Sequence, residues 1–579
     1  MYSRIQWLFL SIVFGLALVI LRLSYWQIIR TDELSRAAEN QYASKDIVDG
    51  SRGIIVTTDN FPLVVNQAIY TLGAYLPGVT DPPSTIVDRI MPLIAFTIDD
   101  PAVATDPAKS TLALESLKST ARATMLEHLE GTGYTILARS LSVKEKNDIS
   151  ALNIKGLTFD QTFAREYPEA SMSAQITGFV GRDELGKPTG YFGLEGYYDR
   201  ELSGRSRIEK QEKDAGGNPL LTGDFQLLPG RDGRTLKLNL ERGAQYLVEE
   251  ELKKGLTRYG AVSGEVIVMD PQTGAVLAMA SLPTYDPGKF HLYDTSLYKN
   301  PAVALSYEPG STFKVFVMAA ALNEGAVKED DHCDICSEPY TLGKYTIKTW
   351  DNKYRANATP EEIIVHSDNV GMVWTELKLG GEKMLEYLKK FGIGQKTGID
   401  LQEEIAPSLR SKWGDIDYAT SSFGQGIVVT SIQMVAAVSA IANGGTLYEP
   451  HIVKSVIGDT EVMVPPKNKG NVISPETTDR ITRLMVSAVE NGEARWAAPK
   501  HYTVAGKTGT AQIAVEGHYD ADKTIASFIG FAPAKNPRFA MIVKLREPQS
   551  SQWGSETAAP LWFNIAEKLL VHYNIPGDK

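Results

Sequence analysis

Cysteine, histidine and positive charge are all in short supply in this sequence. Its 579 residues include two cysteines and eight histidines, and the formal net charge is −11. No His-Glu-x-x-His occurs, and no glycine-rich phosphate loop has the Walker spacing, so the usual signatures of zinc peptidases and P-loop NTPases are missing. The acidic balance offers no basic surface to nucleic acid. There is no internal repeat and no low-complexity tract, which sets aside repeat architectures and biased-composition segments. Nothing points to a Ser-His-Asp triad, and no cofactor is expected.

The two cysteines fall together in Asp331-His332-Cys333-Asp334-Ile335-Cys336. They admit four readings: a local disulfide, a redox pair, a metal site, or two unrelated thiols. A closed zinc site needs four ligands, and His332 supplies only a third nearby. No βαβ pattern of the thioredoxin type surrounds them. The exported location argued next favours oxidation, so a local disulfide ranks first and no metal site is expected.

One long apolar run is present, at the N-terminus. Ile5 to Leu21 is nearly all apolar, and Arg22 interrupts it before Leu23-Ser24-Tyr25-Trp26-Gln27-Ile28-Ile29. Arg22 can snorkel to the interface, with Tyr25 and Trp26 in the headgroup belt. No Ala-x-Ala-like site follows, so the run reads as an uncleaved anchor rather than a signal peptide. The spans are then a cytoplasmic tail over 1–4, a transmembrane helix over 5–28, and everything beyond exported from the cytoplasm.

The exported part divides in two, at 29–235 and 236–579. Pro/Asp-rich loops such as Gly78-Val79-Thr80-Asp81-Pro82-Pro83 mark the first region. A Gly-rich patch, Gly216-Gly217-Asn218-Pro219, precedes the boundary. Beyond it Leu236–Leu240 alternates like a strand and Gly243–Leu256 reads as a helix. Val266–Asp270 and Ala275–Ala280 flank Pro271-Gln272-Thr273-Gly274 as a hairpin.

The chemistry sits in Glu308-Pro309-Gly310-Ser311-Thr312-Phe313-Lys314. Pro309 and Gly310 punctuate the chain, and the apolar run through Leu322 reads as a buried helix. Residues three apart share a helix face, so Ser311 and Lys314 present a hydroxyl and an amine together, the pairing of a serine nucleophile with a lysine partner. Taken alone this tetrapeptide is common, and its ordinary reading is a capping serine and a solvated lysine. Two later motifs reverse that: Ser367-Asp368-Asn369, then Lys507-Thr508-Gly509-Thr510. Ser-x-x-Lys, Ser-x-Asn and Lys-Thr-Gly in this order resemble the signature of penicillin-recognising serine enzymes. Serine needs a base, and a lysine serves only when burial or neighbouring positive charge lowers its pKa. Lys314 is the candidate for that role. Lys507 supplies the second charge and holds a substrate carboxylate. Ser367 relays a proton, and Asn369 orients the lysine and a substrate amide. The N–H groups of Ser311 and Thr510 form an oxyanion hole. A second Lys-Thr-Gly, at Lys396, lies in a turn-rich segment and reads as an exposed loop. The Lys507 copy lies in a strand that can pair with an extended substrate.

Almost the whole chain resembles a class B penicillin-binding protein, a monofunctional peptidoglycan transpeptidase. Arg52-Gly53-Ile54-Ile55, Arg165-Glu166-Tyr167-Pro168 and Gly193-Leu194-Glu195-Gly196-Tyr197-Tyr198 resemble that family's pedestal motifs. Gly424-Gln425-Gly426, Thr430-Ser431-Ile432-Gln433 and Phe528-Ile529-Gly530-Phe531-Ala532-Pro533 resemble elements around its active site. Thr57-Thr58-Asp59-Asn60 departs from the family's usual Asp-Arg-Asn-Gly. The resemblance implies an α+β architecture: a five-stranded, mainly antiparallel sheet flanked by helices, on an elongated β-rich pedestal (29–235). It implies D-Ala-D-Ala stem peptides as substrates, with Thr508, Gly509 and Thr510 binding them. β-Lactams become covalent inhibitors, and a SEDS-family glycosyltransferase a partner of the pedestal. A β-lactamase or β-lactam sensor carries the same motifs, but no segment here identifies a deacylating Glu loop. A non-catalytic scaffold needs none of the three motifs. The anchor reading gives a direct expectation: intact mass of membrane-extracted protein retains the N-terminal run, whereas a mature start beyond Tyr25 refutes the anchor.

Overall fold

The structure, a computed structural model, describes residues 2–35, 43–48, 50–98, 103, 106–212, 225–515 and 518–579. The Gly216–Pro219 patch lies outside them. The chain divides into two compact units, residues 1–52 with 203–233, and residues 53–202 with 234–579.

The smaller unit contains α1 (Tyr2–Ser24), which continues as a π-helical turn over Tyr25–Ile29. Among the described residues one helical span, Ser3–Ile29, is long and apolar enough to cross a membrane, and none of it is buried in protein. At 1.5 Å per residue it reaches about 40 Å, enough for the hydrocarbon core and part of the headgroup layer. Arg22 does not break it. Its guanidinium lies 5.3 Å from the centroid of the Trp26 ring and 5.8 Å from that of Tyr25, so both aromatic faces receive the charge. This unit also contains a three-stranded antiparallel sheet in which Arg207–Glu212 lies between Ala43–Val48 and Phe225–Leu228.

In the larger unit, Pro62–Tyr75 is the long strand of a seven-stranded sheet and pairs with Ile55–Val56, Tyr134–Leu141 and Leu157–Glu166. The Thr235–Leu238 strand joins the same sheet, parallel to Ile55–Val56 and antiparallel to Val453–Ile457. A boundary at 235/236 therefore falls at the first residue of a strand. Asn60 takes φ 63° in the turn before Pro62. Asparagine enters this left-handed region more readily than other side chains, so it can stand where the family usually has glycine.

Three pedestal motifs meet on one buried arginine. Arg165 donates to Glu195 Oε1 at 2.7 Å, to Asn66 Oδ1 at 2.6 Å and to the Gly53 carbonyl at 2.6 Å. The side chains of Arg165 and Glu195 are 6% and 0% exposed. A desolvated ion pair is tolerable only when its remaining hydrogen-bonding groups are satisfied, and here a strand side chain and a loop carbonyl take two more of the guanidinium's donors.

The catalytic half is built on β1 (Ser263–Met269), β2 (Val276–Leu282), β3 (Ala505–Val515), β4 (His518–Ala532) and β5 (Phe539–Arg546), in the order β2-β1-β5-β4-β3, all antiparallel. Strand alternation assigns the two faces. Val266, Val268, Phe528, Met541 and Val543 pack with α2 (Arg242–Tyr259) and with the Ala558–His572 helix, whose Trp562 donates to the Met541 carbonyl at 2.8 Å. Ile267, Met269, Ile529, Phe531 and Ile542 face the other core. There α3 (Lys314–Asn323) is buried on every side from Lys314 to Leu322. A helix apolar all round belongs in a core, as its sequence requires. Beside it lie α4 (Asn369–Leu379) and α6 (Pro475–Glu490), while α5 (Ser431–Ala442) packs on the sheet and against α6. Thr430 and Gln433 form a capping box at the start of α5, which gives the Thr430–Gln433 motif its physical role.

Replacing Arg165 by Ala removes the cation that donates to the buried Glu195 carboxylate at 2.7 Å. A loss of about 3–5 kcal/mol in unfolding free energy is expected, read from denaturant melts of the two proteins. A loss below ~1 kcal/mol would mean that this hub is dispensable.

Candidate active site

Ser311 sits in a 3₁₀ turn, Gly310–Phe313, and the α-helix proper begins at Lys314. The sequence reading placed Ser311 at the start of the helix itself. In a 3₁₀ turn residues i and i+3 eclipse, so the tighter turn still stacks Ser311 with Lys314. Among the described residues the Ser311 hydroxyl has no hydrogen-bond partner, and the residue is partly open while Thr312, Phe313 and Lys314 are buried. Thr312 closes the turn by donating to the Pro309 carbonyl at 2.8 Å.

Lys314 is the central charge. It is fully buried, and its Nζ donates to the Ser367 carbonyl at 2.6 Å, to Ser367 Oγ at 3.2 Å and to Asn369 Oδ1 at 2.8 Å. The first two motifs are thus joined at one nitrogen. Burial, reinforced by the nearby Lys507 charge, holds Lys314 well below the usual lysine range, while Asp368 and Glu493 pull the other way. Ser367 takes φ 54°, a left-handed conformation. A non-glycine residue persists there only where its surroundings hold it, and the Lys314 contacts are part of that hold. Asp368 caps α4 by accepting from the Gly371 N–H at 3.0 Å, and its other oxygen is buried without a hydrogen-bond partner. Asn369 donates to the Lys348 carbonyl at 3.0 Å, which fixes its amide with the oxygen towards Lys314.

The third motif lies on β3, the edge strand of the sheet. Its single neighbour β4 leaves the other edge for an added strand, as the sequence reading required. Lys507 is buried, and burial lowers its pKa against the opposing pull of Glu493. Its Nζ rests on the Thr508 carbonyl and hydroxyl at 3.2 and 3.1 Å. Gly509 explains why the motif ends in glycine: a Cβ there would stand 2.7 Å from Thr312 Cγ2 and 3.1 Å from the Pro309 carbonyl. The strand therefore lies directly against the Ser311 turn. On its other side Gly424, at φ 83°, presses on the same turn and accepts from the Gly310 N–H at 3.0 Å. Ser311, Lys314, Ser367, Asn369, Lys507, Thr508, Gly509 and Thr510 accordingly line one locus.

The second Lys-Thr-Gly is a structural turn. Lys396 is exposed, and Thr397 donates through its N–H and hydroxyl to Glu404 Oε1 at 2.5 and 2.6 Å. Asp400 is buried and accepts from the N–H groups of Ile452 and Val453.

Other groups at the site carried no sequence pattern. Trp350 donates to the His366 carbonyl at 3.1 Å on the wall that bears Ser367. Trp553 precedes Gly554, whose N–H donates to Thr510 Oγ1 at 2.9 Å on the opposite wall. The two indoles meet with centroids 5.2 Å apart, so an aromatic pair connects the walls carrying the second and third motifs. Cys333 and Cys336 are joined by a disulfide in the segment that follows α3, and the Cys333 N–H donates to the Ala358 carbonyl at 2.9 Å.

Comparison with known proteins agrees with this geometry. The penicillin binding protein transpeptidase domain matches residues 264–570, and the penicillin-binding protein dimerisation domain matches 47–238. Stage V sporulation protein D of Bacillus subtilis is 33% identical over 572 residues, covering 96% of this chain and 84% of that protein. The peptidoglycan D,D-transpeptidase FtsI of Escherichia coli is 28% identical over 574 residues, covering 98% of this chain and 91% of that protein. Penicillin Binding Protein 2X of Streptococcus thermophilus shares the fold at 23% identity with a TM-score of 0.73, over 91% of this chain and 80% of that one.

The two Lys-Thr-Gly copies separate cleanly by substitution. Lys507→Ala removes a charge of the kind worth roughly 1.5–3 kcal/mol to a bound carboxylate, so penicillin acylation slows by at least about tenfold. It also removes a positive neighbour of Lys314, so the acid limb of the acylation pH profile moves to higher pH. Lys396→Ala leaves the rate nearly unchanged and stability within about 0.5 kcal/mol. Second-order acylation rates of the two variants decide it, and a slow Lys396→Ala would reverse the assignment.

Proposed function

The chain belongs to the penicillin-binding protein transpeptidase family, and from that premise we propose that it cross-links peptidoglycan as a membrane-anchored D,D-transpeptidase through an acyl-enzyme on Ser311. The observation that carries the proposal is the triple contact of the buried Lys314 ammonium with Ser367 and Asn369. A lysine held there with a lowered pKa can exist as the free amine and accept the Ser311 proton. Ser311 Oγ then attacks the penultimate D-Ala carbonyl of a stem peptide. The main-chain N–H groups of Ser311 and Thr510 receive the developing oxyanion. Ser367 passes the proton to the leaving D-Ala nitrogen, and the peptide C–N bond breaks to leave an ester on Ser311. The amine of a second stem peptide attacks that ester, forms the cross-link and restores the serine. Lys507, Thr508 and Thr510 hold the substrate carboxylate, while Gly509 keeps β3 against the nucleophile turn. A β-lactam opens on Ser311 by the same attack, but its leaving nitrogen stays tethered and blocks the acceptor.

The span Ser3–Ile29 supports a single-pass anchor, and we place the short tail 1–4 in the cytoplasm and the catalytic region outside it. The further division is a pedestal over 29–235 and a transpeptidase region over 236–579. The match to a dimerisation domain supports the pedestal as a protein-contacting region, for which a SEDS-family glycosyltransferase is the partner we propose. Peptide mass spectrometry after penicillin treatment is expected to find the adduct on the peptide containing Ser311. An adduct on another serine, or undiminished labelling of Ser311→Ala, would sink the assignment.

A further inference from the structure

Glu493 belongs to none of the three motifs, yet it stands among their charges. It follows α6, three residues past the last helical residue, in Gly492-Glu493-Ala494. Gly492 approaches the Ser367 turn so closely that a Cβ there would lie 3.1 Å from the Val365 carbonyl. Helix α6 also packs against β3 and against α3. Helix α6 thus lies against the segments that carry Lys507 and Lys314, and its end meets the turn that leads to Ser367. Glu493 Oε1 is buried and accepts no hydrogen bond. A buried carboxylate oxygen without a donor is costly unless cations offset it. The cations at hand are the two ammonium groups: the Glu493 charge acts on both Lys314 and Lys507, and also on His366.

We propose that Glu493 is a further positioning residue for acyl transfer, its half-buried carboxylate counterbalancing the Lys314 and Lys507 ammonium groups in the unloaded site. It touches neither nucleophile nor substrate and acts through the lysines. Burial alone drives both lysines towards the neutral form. The two need opposite states: Lys314 must release a proton to serve as base, and Lys507 must keep one to receive a carboxylate. Glu493 opposes deprotonation at both. It preserves the cation at Lys507, while Lys314 stays depressed by burial and by the Lys507 charge. Other charges facing this cluster are Asp368 from the start of α4 and His366 from the turn. Asp351, Arg355 and Glu362 act on His366 in turn, and Arg495 follows two residues after Glu493.

The inference rests on the roles proposed for Lys314 and Lys507, and the test separates the two. Full-length, detergent-solubilised protein is acylated with benzylpenicillin across about pH 5 to 10, as wild type, Glu493→Gln and Glu493→Asp, with the Ser311 adduct verified in each. Removing the negative charge lowers both lysine pKa values, so in Glu493→Gln both limbs of the rate profile move to lower pH by about half a unit or more. Glu493→Asp keeps the charge, and its limbs stay with wild type. Glutamine is nearly isosteric, and thermal unfolding monitors its folding; should it unfold, Glu493→Ala takes its place with the same expected shift. A Glu493 variant profile that superimposes on wild type after scaling, whatever the drop in rate, means a structural role and overturns the proposal, as does a shift to higher pH. If wild type itself is not acylated at Ser311, the proposed function fails first and the inference falls with it.

Discussion

A lysine with no access to water must find every one of its partners inside the protein, and the catalytic region is arranged around that requirement. Lys314 offers three protons and meets three oxygens, from the Ser367 carbonyl, the Ser367 hydroxyl and the Asn369 amide. To supply them, the chain after Val365 turns through a left-handed serine and restarts as a helix capped by Asp368. To keep water away, α3 is enclosed on every side. Burial that lowers the lysine's pKa also makes its partners obligatory, since an unpaired buried ammonium costs several kcal/mol. Stability and reactivity are set here by the same desolvation.

The second constraint is steric. Strand β3, the Ser311 turn and the Gly424–Gly426 segment approach more closely than side chains allow. The carbonyls of Pro309 and Gly310 lie within 3.1 Å and 2.1 Å of the Cβ positions that Gly509 and Gly424 lack. These contacts fix the distance between the Ser311 turn and β3 by steric approach. Glu308 adds a polar tie, accepting from the Gly426 N–H at 3.1 Å and from the Tyr519 hydroxyl near the end of the β3–β4 hairpin.

Much of this was legible in the sequence because it is local or carried by ordered motifs. The β1–β2 hairpin, helix α2, the buried helix after Ser311 and the strand at Lys507 all follow from periodicity, turn residues and strand context. The α+β class and the pedestal came from resemblance, and the structure shows the sheet and its flanking helices. What stayed hidden depends on contacts between distant segments. Nothing local in Trp350, Trp553 or Glu493 says that Trp350 and Trp553, 203 residues apart in sequence, meet at one site. The role of Arg165 was visible only as part of a motif, because its partners lie 30, 99 and 112 residues away. The strand at Thr235–Leu238 was readable as a strand, but its pairing with residues before 57 and after 452 was not.

The edge position of β3 has a metrical consequence. A peptide added to that edge is registered in steps of one residue, and each step reverses which side chains face the protein. In the proposed reaction one end of the register is set where Lys507 meets a terminal carboxylate, and the other where the Ser311 turn is pressed on Gly509. Two fixed stops on one strand make a ruler. It measures the distance from a free chain end to the bond that is cut, and it does so through the main chain, largely indifferent to the side chains further along. Such a site selects by length and termination, so it can accept wall peptides of varied composition while refusing an internal bond of the same chemistry.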